Sequence, residues 1–157
     1  MPYSENDIDP EMGRRALAFV AALFEQAAID TAVGQSGVLY AIVMNPTRRY
    51  GECNFEEAVL VERGFGKPRD TWDADYAEYA RKKARVSWQT GLDSGGEGTA
   101  ACWAREGHGS PLAGGVVVNG IVAAVSGADP AYDEVLAGAT ALSLRAIIKL
   151  SDKAPAS

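Results

Sequence analysis

The stretch VVVNGIVAAV (116–125) limits how this chain can fold more than any other. Two β-type runs flank Asn119-Gly120, and those two residues accept the positive φ angles of a type I′ turn, whose twist matches that of paired strands. An isolated ribbon of this kind is marginal in water, so it must join further strands or pack under a helix. Gly114-Gly115 opens the first run and Ser126-Gly127-Ala128 closes the second. Asp129-Pro130 then reads as a helix start, since Asp accepts from free amides and Pro suits the first helical position. With Asp133 and Glu134 in its first turn, a terminal helix of about 131–150 is expected, its apolar face including Val135, Leu142, Ala146 and Leu150.

The same reading extends backwards along the chain. Asp9-Pro10-Glu11 repeats the helix-start device, and Leu17, Val20, Phe24 and Ala28 recur at spacings of three and four, so a helix of about 10–30 is expected. VLYAIVMN (38–45) is almost wholly apolar and reads as a central strand covered on both faces. Asn45-Pro46-Thr47 marks a turn, after which a strand of about 49–55 is expected to return antiparallel. EEAVLVERGFGKPRD (56–70) is ambiguous between strand and helical turn. A helix of about 73–89 follows, with Tyr76, Ala80, Ala84 and Trp88 down one face, the basic run RKKAR (81–85) around the other, and Gly91 past its end. GLDSGGEGT (91–99) reads as a flexible loop, and Ala100 to Trp103 as a further strand. Residues 1–8 and 151–157 read as mobile ends of one domain spanning 1–157. The expected fold class is α/β in the α+β sense: an antiparallel sheet of about five strands packed by helices.

Bulk properties narrow the function classes. A chain of 157 residues is one-domain sized, and 47% apolar with 23% charged residues is a globular mixture. The net charge of −6 repels phosphate backbones, which argues against a nucleic-acid partner. No apolar run reaches the length of a membrane helix, and the acidic, polar start MPYSENDIDPEM is unlike a signal peptide, so a cytoplasmic protein without a membrane partner is expected. Cys53 and Cys102 lack metal-ligand spacing and read as packing residues.

Residues 107–134, GHGSPLAGGVVVNGIVAAVSGADPAYDE, resemble the C-terminal signature of the GlcG/HbpS-like family of haem-binding or haem-degrading domains. Gly114-Gly115, Asn119-Gly120, Ser126-Gly127-Ala128, Pro130 and Asp133-Glu134 fill the positions of that signature, and Arg81-Lys82-Lys83-Ala84 resembles the family's central basic helix. The resemblance implies a profilin-like α/β fold, assembly into a homo-oligomer, and a small ligand such as haem or a related tetrapyrrole. It is close over the last third of the chain; the segment of about 56–75 has no clear counterpart.

The candidate site residues follow from these two lines. His108, the single histidine, sits between glycines and is the candidate haem-iron ligand or acid/base group. Gly114 and Gly115 would let a ligand approach the backbone. Arg81 and Arg85 lie four apart on one helix face and would clamp a propionate or another carboxylate. The pocket is expected between the loop 107–115 and the helix 81–85. Three functions remain open: a binder of a small ligand such as haem or a related tetrapyrrole; a lyase, isomerase or hydrolase acting on a carboxylated metabolite with His108 as its acid/base; and an accessory subunit without a ligand.

Overall fold

A computed structural model describes residues 3–4 and 7–152. Helix α1 (Pro10–Ile29) is capped as its sequence requires: the Asp9 carboxylate accepts from the Met12 amide at 3.0 Å. Strand β1 (Val38–Met44) follows, then a four-residue helix α2 (Phe55–Ala58), strand β2 (Val59–Gly66) and helix α3 (Tyr76–Thr90). A short helix α4 (Ala100–Arg105) precedes the hairpin of β3 (Gly115–Val118) and β4 (Ile121–Ser126), and helix α5 (Pro130–Asp152) completes the order. The fold is α+β.

The four strands form one antiparallel sheet in the order β2-β1-β4-β3. At the hairpin tip, Asn119 and Gly120 have φ of 50° and 81°, the I′ geometry expected of them. Every residue of β1 is buried, because β1 lies between two strands and under helices on both faces. Its side chains alternate between two cores. Leu39, Ala41 and Val43 join Ile121, Ala123 and Val125 beneath α1 and α5, which contribute Leu17, Phe24, Leu136 and Leu144. Tyr40, Ile42 and Met44 join Val122 and Ala124 beneath α3, where Ala77, Ala80 and Ala84 face the sheet. These alanines let α3 approach the sheet closely.

Several expectations are corrected. The sheet has four strands among the described residues, not five. The segment 49–55 is a turn with one isolated bridge between Tyr50 and Cys53; the strand that returns alongside β1 is β2. An Asn54–Glu57 capping box starts α2, so the ambiguous run is a helical turn that passes directly into a strand. Ala100 to Trp103 is helical, part of α4, and buries Trp103 fully. The loop 91–99 is pinned rather than flexible: Ser94 is wholly buried, its hydroxyl bonding Leu112 and Gly115 and its carbonyl accepting from Trp103 Nε1 at 2.7 Å.

The apolar stripe expected on α5 is the wrong one. Val135, Leu142 and Leu150 are exposed, whereas Leu136, Ala137, Ala141, Leu144 and Ile148 meet the sheet. This helix is apolar nearly all round, so periodicity alone does not select a face. The described part of the N-terminal arm is anchored: the Tyr3 hydroxyl donates to the Asn119 carbonyl at 2.7 Å, and Ile8 is buried in the core. At the other end Ser151 and Asp152 continue α5, while 153–157, expected to be mobile, lie outside the described residues. Both cysteines are free thiols, Cys102 buried and Cys53 half-buried. No helix among the described residues is long and apolar enough to cross a membrane.

Candidate functional site

The most distinctive side-chain arrangement in the molecule is a buried ion pair between helices on opposite faces of the sheet. Lys83, on α3, is 4% exposed, and Asp133, on α5, is 1% exposed. Lys83 Nζ donates to Asp133 Oδ2 at 3.1 Å and to the Val125 carbonyl, the next-to-last in β4, at 3.0 Å. Asp133 Oδ1 accepts from the Ala128 amide at 3.0 Å, so both carboxylate oxygens are used.

A lysine can cross from one layer to the other because Gly114 leaves a gap. This residue has φ of 134°, and a Cβ there would fall 2.8 Å from Lys83 Nζ and 2.6 Å from the Val125 carbonyl. Only glycine combines that backbone with that approach. Gly115 serves the same packing: its absent Cβ would press on the Ser87 hydroxyl and the Lys83 carbonyl, at 2.7 and 2.8 Å. The Gly-Gly pair thus seats α3 against β3.

Taking two charges out of water costs several kcal/mol per ion, and their attraction offsets this only in part. The titration behaviour of the pair follows. Burial pushes the Lys83 ammonium below its ordinary value, with Asp133 opposing. Burial pushes the Asp133 carboxyl up to about 6, with Lys83 and the Ala128 amide opposing. Burial therefore disfavours the charged form of each member, while each member's charge opposes the shift of the other.

The pair borders a cleft of about 600 Å³. The loop 31–36 after α1 forms one wall, and the turn from Ser126 through Asp129 into α5 forms another. Tyr76, Tyr79 and Lys83 of α3 close the third side. Asp129 caps α5 through the Ala131 amide at 3.0 Å, which removes the helix start as an anion site. Asp73 accepts from the Tyr76 hydroxyl at 2.6 Å, and burial together with that bond raises the phenol's pKa. The cleft therefore carries one ammonium and three carboxylates, those of Asp73, Asp129 and Asp133, and its walls favour ligand hydroxyl donors over a second anion.

The residues expected from sequence to form the site are dispersed. His108 is half-buried: its ring lies edge-on to Trp103 at 5.3 Å and 6.1 Å from Tyr79, and Nε2 is 3.4 Å from Lys82 Nζ. It adjoins the cleft through Tyr79 but does not line it. Arg81 pairs with Glu62 at 2.8 Å and with Glu56. Arg85 pairs with Glu106 at 3.1 Å, and both guanidinium groups lie over the Phe55 ring. The two arginines share a face as their spacing implies, yet each is already matched to carboxylates of its own chain. Gly114 borders Lys83, while Gly115 is packed beneath α3.

Lys83 and Asp133 are the residues that sequence reasoning passed over as functional groups. Lys83 was concealed in RKKAR, which reads as a solvated run. A signal existed, since Lys83 follows Ala80 by three and precedes Ser87 by four, on the inward side of α3. The class defined by fold and site is an α+β domain with a buried Lys–Asp pair beside an open cleft. No protein-family model matches the chain, and no curated protein matches it either.

Proposed function

We propose that the protein binds a small, neutral, hydroxylated carbonyl compound in the cleft bordered by Lys83 and Asp133. The observation that carries this reading is the placement of an almost wholly buried ammonium where an open cavity of ligand size meets it. The carboxylates of Asp73 and Asp129 accept hydroxyl protons, the Lys83 ammonium donates to a carbonyl oxygen, and Tyr76 and Tyr79 supply apolar ring surface. A carboxylated metabolite, the substrate first expected for an enzyme of this kind, meets an unfavourable charge balance and serves as the comparison ligand. The test is an amide-resolved NMR titration with dihydroxyacetone and, in parallel, pyruvate. Dihydroxyacetone should shift the amides of Gln35, Ser126 and Ala128 saturably, and more strongly than pyruvate does. Shifts confined to other surfaces would overturn the reading and leave an accessory role.

A second reading keeps the GlcG/HbpS-like resemblance, with its profilin-like architecture and haem or a related tetrapyrrole as ligand. What supports it is the position of His108, half-exposed among Trp103, Tyr79 and Lys82, the last a partner for a propionate. Haemin titration should give a shifted Soret band that changes in His108→Ala; unchanged spectra at equimolar haemin would remove this reading. Both readings take the protein as cytoplasmic and homo-oligomeric. Exposed Phe19, Leu142 and Leu150 on α1 and α5 support self-association, and light scattering showing a monomer would contradict it.

A further inference from the structure

We infer that Lys83 is a covalent centre, condensing with the carbonyl carbon of a small hydroxy-aldehyde or hydroxy-ketone to form an imine with Asp133 as its proton relay. This deepens the cleft-binding reading and rests on it, since the carbonyl compound must first occupy the cavity. Three observations converge. Lys83 Nζ is held at a defined point by the Val125 carbonyl and Asp133 rather than free in solvent, so a bound carbonyl carbon meets a fixed nucleophile. The same residue borders an open cleft instead of being sealed within the core. A carboxyl group lies 3.1 Å from the nitrogen, within reach of every proton transfer that the condensation needs.

A purely stabilising role explains this arrangement less well. Apolar residues of similar volume generally stabilise a fold as well as a buried ion pair does, or better. Here the chain also places a glycine at φ 134° to admit the lysine. The lowered basicity of Lys83 acts in the same direction, raising the fraction of neutral amine near pH 7.

The step balances without an oxidant or reductant. Lys83 passes one proton to Asp133, and the freed nitrogen lone pair attacks the carbonyl carbon. The C–N bond forms as the carbonyl π pair moves to oxygen, which takes the proton from Asp133. Asp133 then removes a second proton from nitrogen and delivers it to the hydroxyl group. The C–O bond breaks, water leaves, and the nitrogen lone pair closes the C=N bond. Of the ammonium's three protons, two depart in water and one stays on the iminium, whose charge faces the regenerated Asp133 carboxylate. Such an iminium withdraws electrons from the adjacent carbon, so the reaction class served is proton abstraction or carbon–carbon bond cleavage beside a carbonyl.

The full chain is incubated with glycolaldehyde and cyanoborohydride, then analysed by intact mass and peptide mapping. The inference expects a single saturable adduct on Lys83, forming about tenfold faster than on Lys67, Lys82 or Lys149, because the amine is held in place beside its proton acceptor and the cleft. Adducts that instead follow solvent exposure, with Lys83 unmodified, overturn it. Because the mapping is done on wild-type protein, the result does not depend on whether Lys83→Met folds. The double variant Lys83→Met/Asp133→Asn should lose the fast adduct and retain the slow ones. A parallel titration with ethane-1,2-diol, which lacks a carbonyl, separates the two levels of the claim. Shifts at Ser126 and Ala128 without any Lys83 adduct from glycolaldehyde sink the imine and leave the cleft reading standing. Neither shifts nor adduct removes both.

Discussion

Breaking the Lys83–Asp133 pair from one side should destabilise the fold far more than removing both charges together. In Asp133→Asn, Lys83 must either stay charged without a counterion or give up its proton. Deprotonating an amine of ordinary pKa 10.5 at pH 7 sets a ceiling of about 5 kcal/mol, at 1.36 kcal/mol per unit. In Lys83→Met, Asp133 must protonate instead, and from 3.8 the corresponding ceiling is about 4 kcal/mol. Single-variant losses of about 3–5 kcal/mol are therefore expected, a large share of the stability of a domain this size. The double variant needs neither adjustment. Its Asn side-chain oxygen still accepts from the Ala128 amide, and Met fills most of the lysine's volume. Its loss should be about 1–2 kcal/mol, the scale of one or two hydrogen bonds. Urea denaturation of all four proteins at pH 7, with constant m-values, measures the coupling directly. The expected interaction energy exceeds about 3 kcal/mol, whereas additive losses within about 0.5 kcal/mol would show that the two groups do not depend on each other, refuting the argument from burial.

Three further outcomes follow from the same geometry. Gly114→Ala forces a Cβ to within 2.6 Å of the Val125 carbonyl at φ 134°, so it should cost about 2–4 kcal/mol in urea titrations and alter the reactivity of Lys83. Asp133 is held near 6 in the folded state against 3.8 ordinarily, so between about pH 4 and pH 6 the folded chain binds more protons than the unfolded one. Its contribution to stability is present below pH 4 and is lost as pH rises through about 6; wild type minus Asp133→Asn, followed by calorimetry, should show a downward slope totalling up to about 3 kcal/mol, and a flat difference would contradict this. Asn119→Val places a β-branched residue at φ 50° and should lower stability by about 1–2 kcal/mol; equal stability would mean that the hairpin turn relaxes to another type.

The fold was legible wherever local chemistry decides it. The Asn119-Gly120 turn, the Asp9 and Asp129 caps and the doubly covered strand β1 are set by a few adjacent residues, and all three emerge as read. What escaped depends on contacts distant in sequence. Val59 and Ala100 both begin apolar runs, yet one enters a strand and the other a helix because β1 lies beside the first and Trp103 must fill a core under the second. The α5 face was misjudged because apolar residues surround that helix and only the position of the sheet selects among them. The site shows the same division. Gly114 was read as a place where a ligand approaches the backbone, whereas what approaches it is Lys83, a residue 31 positions earlier whose inward position shows only in its spacing from Ala80 and Ser87. Arg81 and Arg85 look available for a ligand until Glu56, Glu62 and Glu106 arrive from other segments.

A crystal structure of the wild-type protein grown with dihydroxyacetone examines the central claim most directly. The account predicts ligand density in the cavity between the loop 31–36 and the start of α5, with its carbonyl carbon at or bonded to Lys83 Nζ. Density elsewhere, with Lys83 and Asp133 closed over by side chains and no solute beside them, would contradict it.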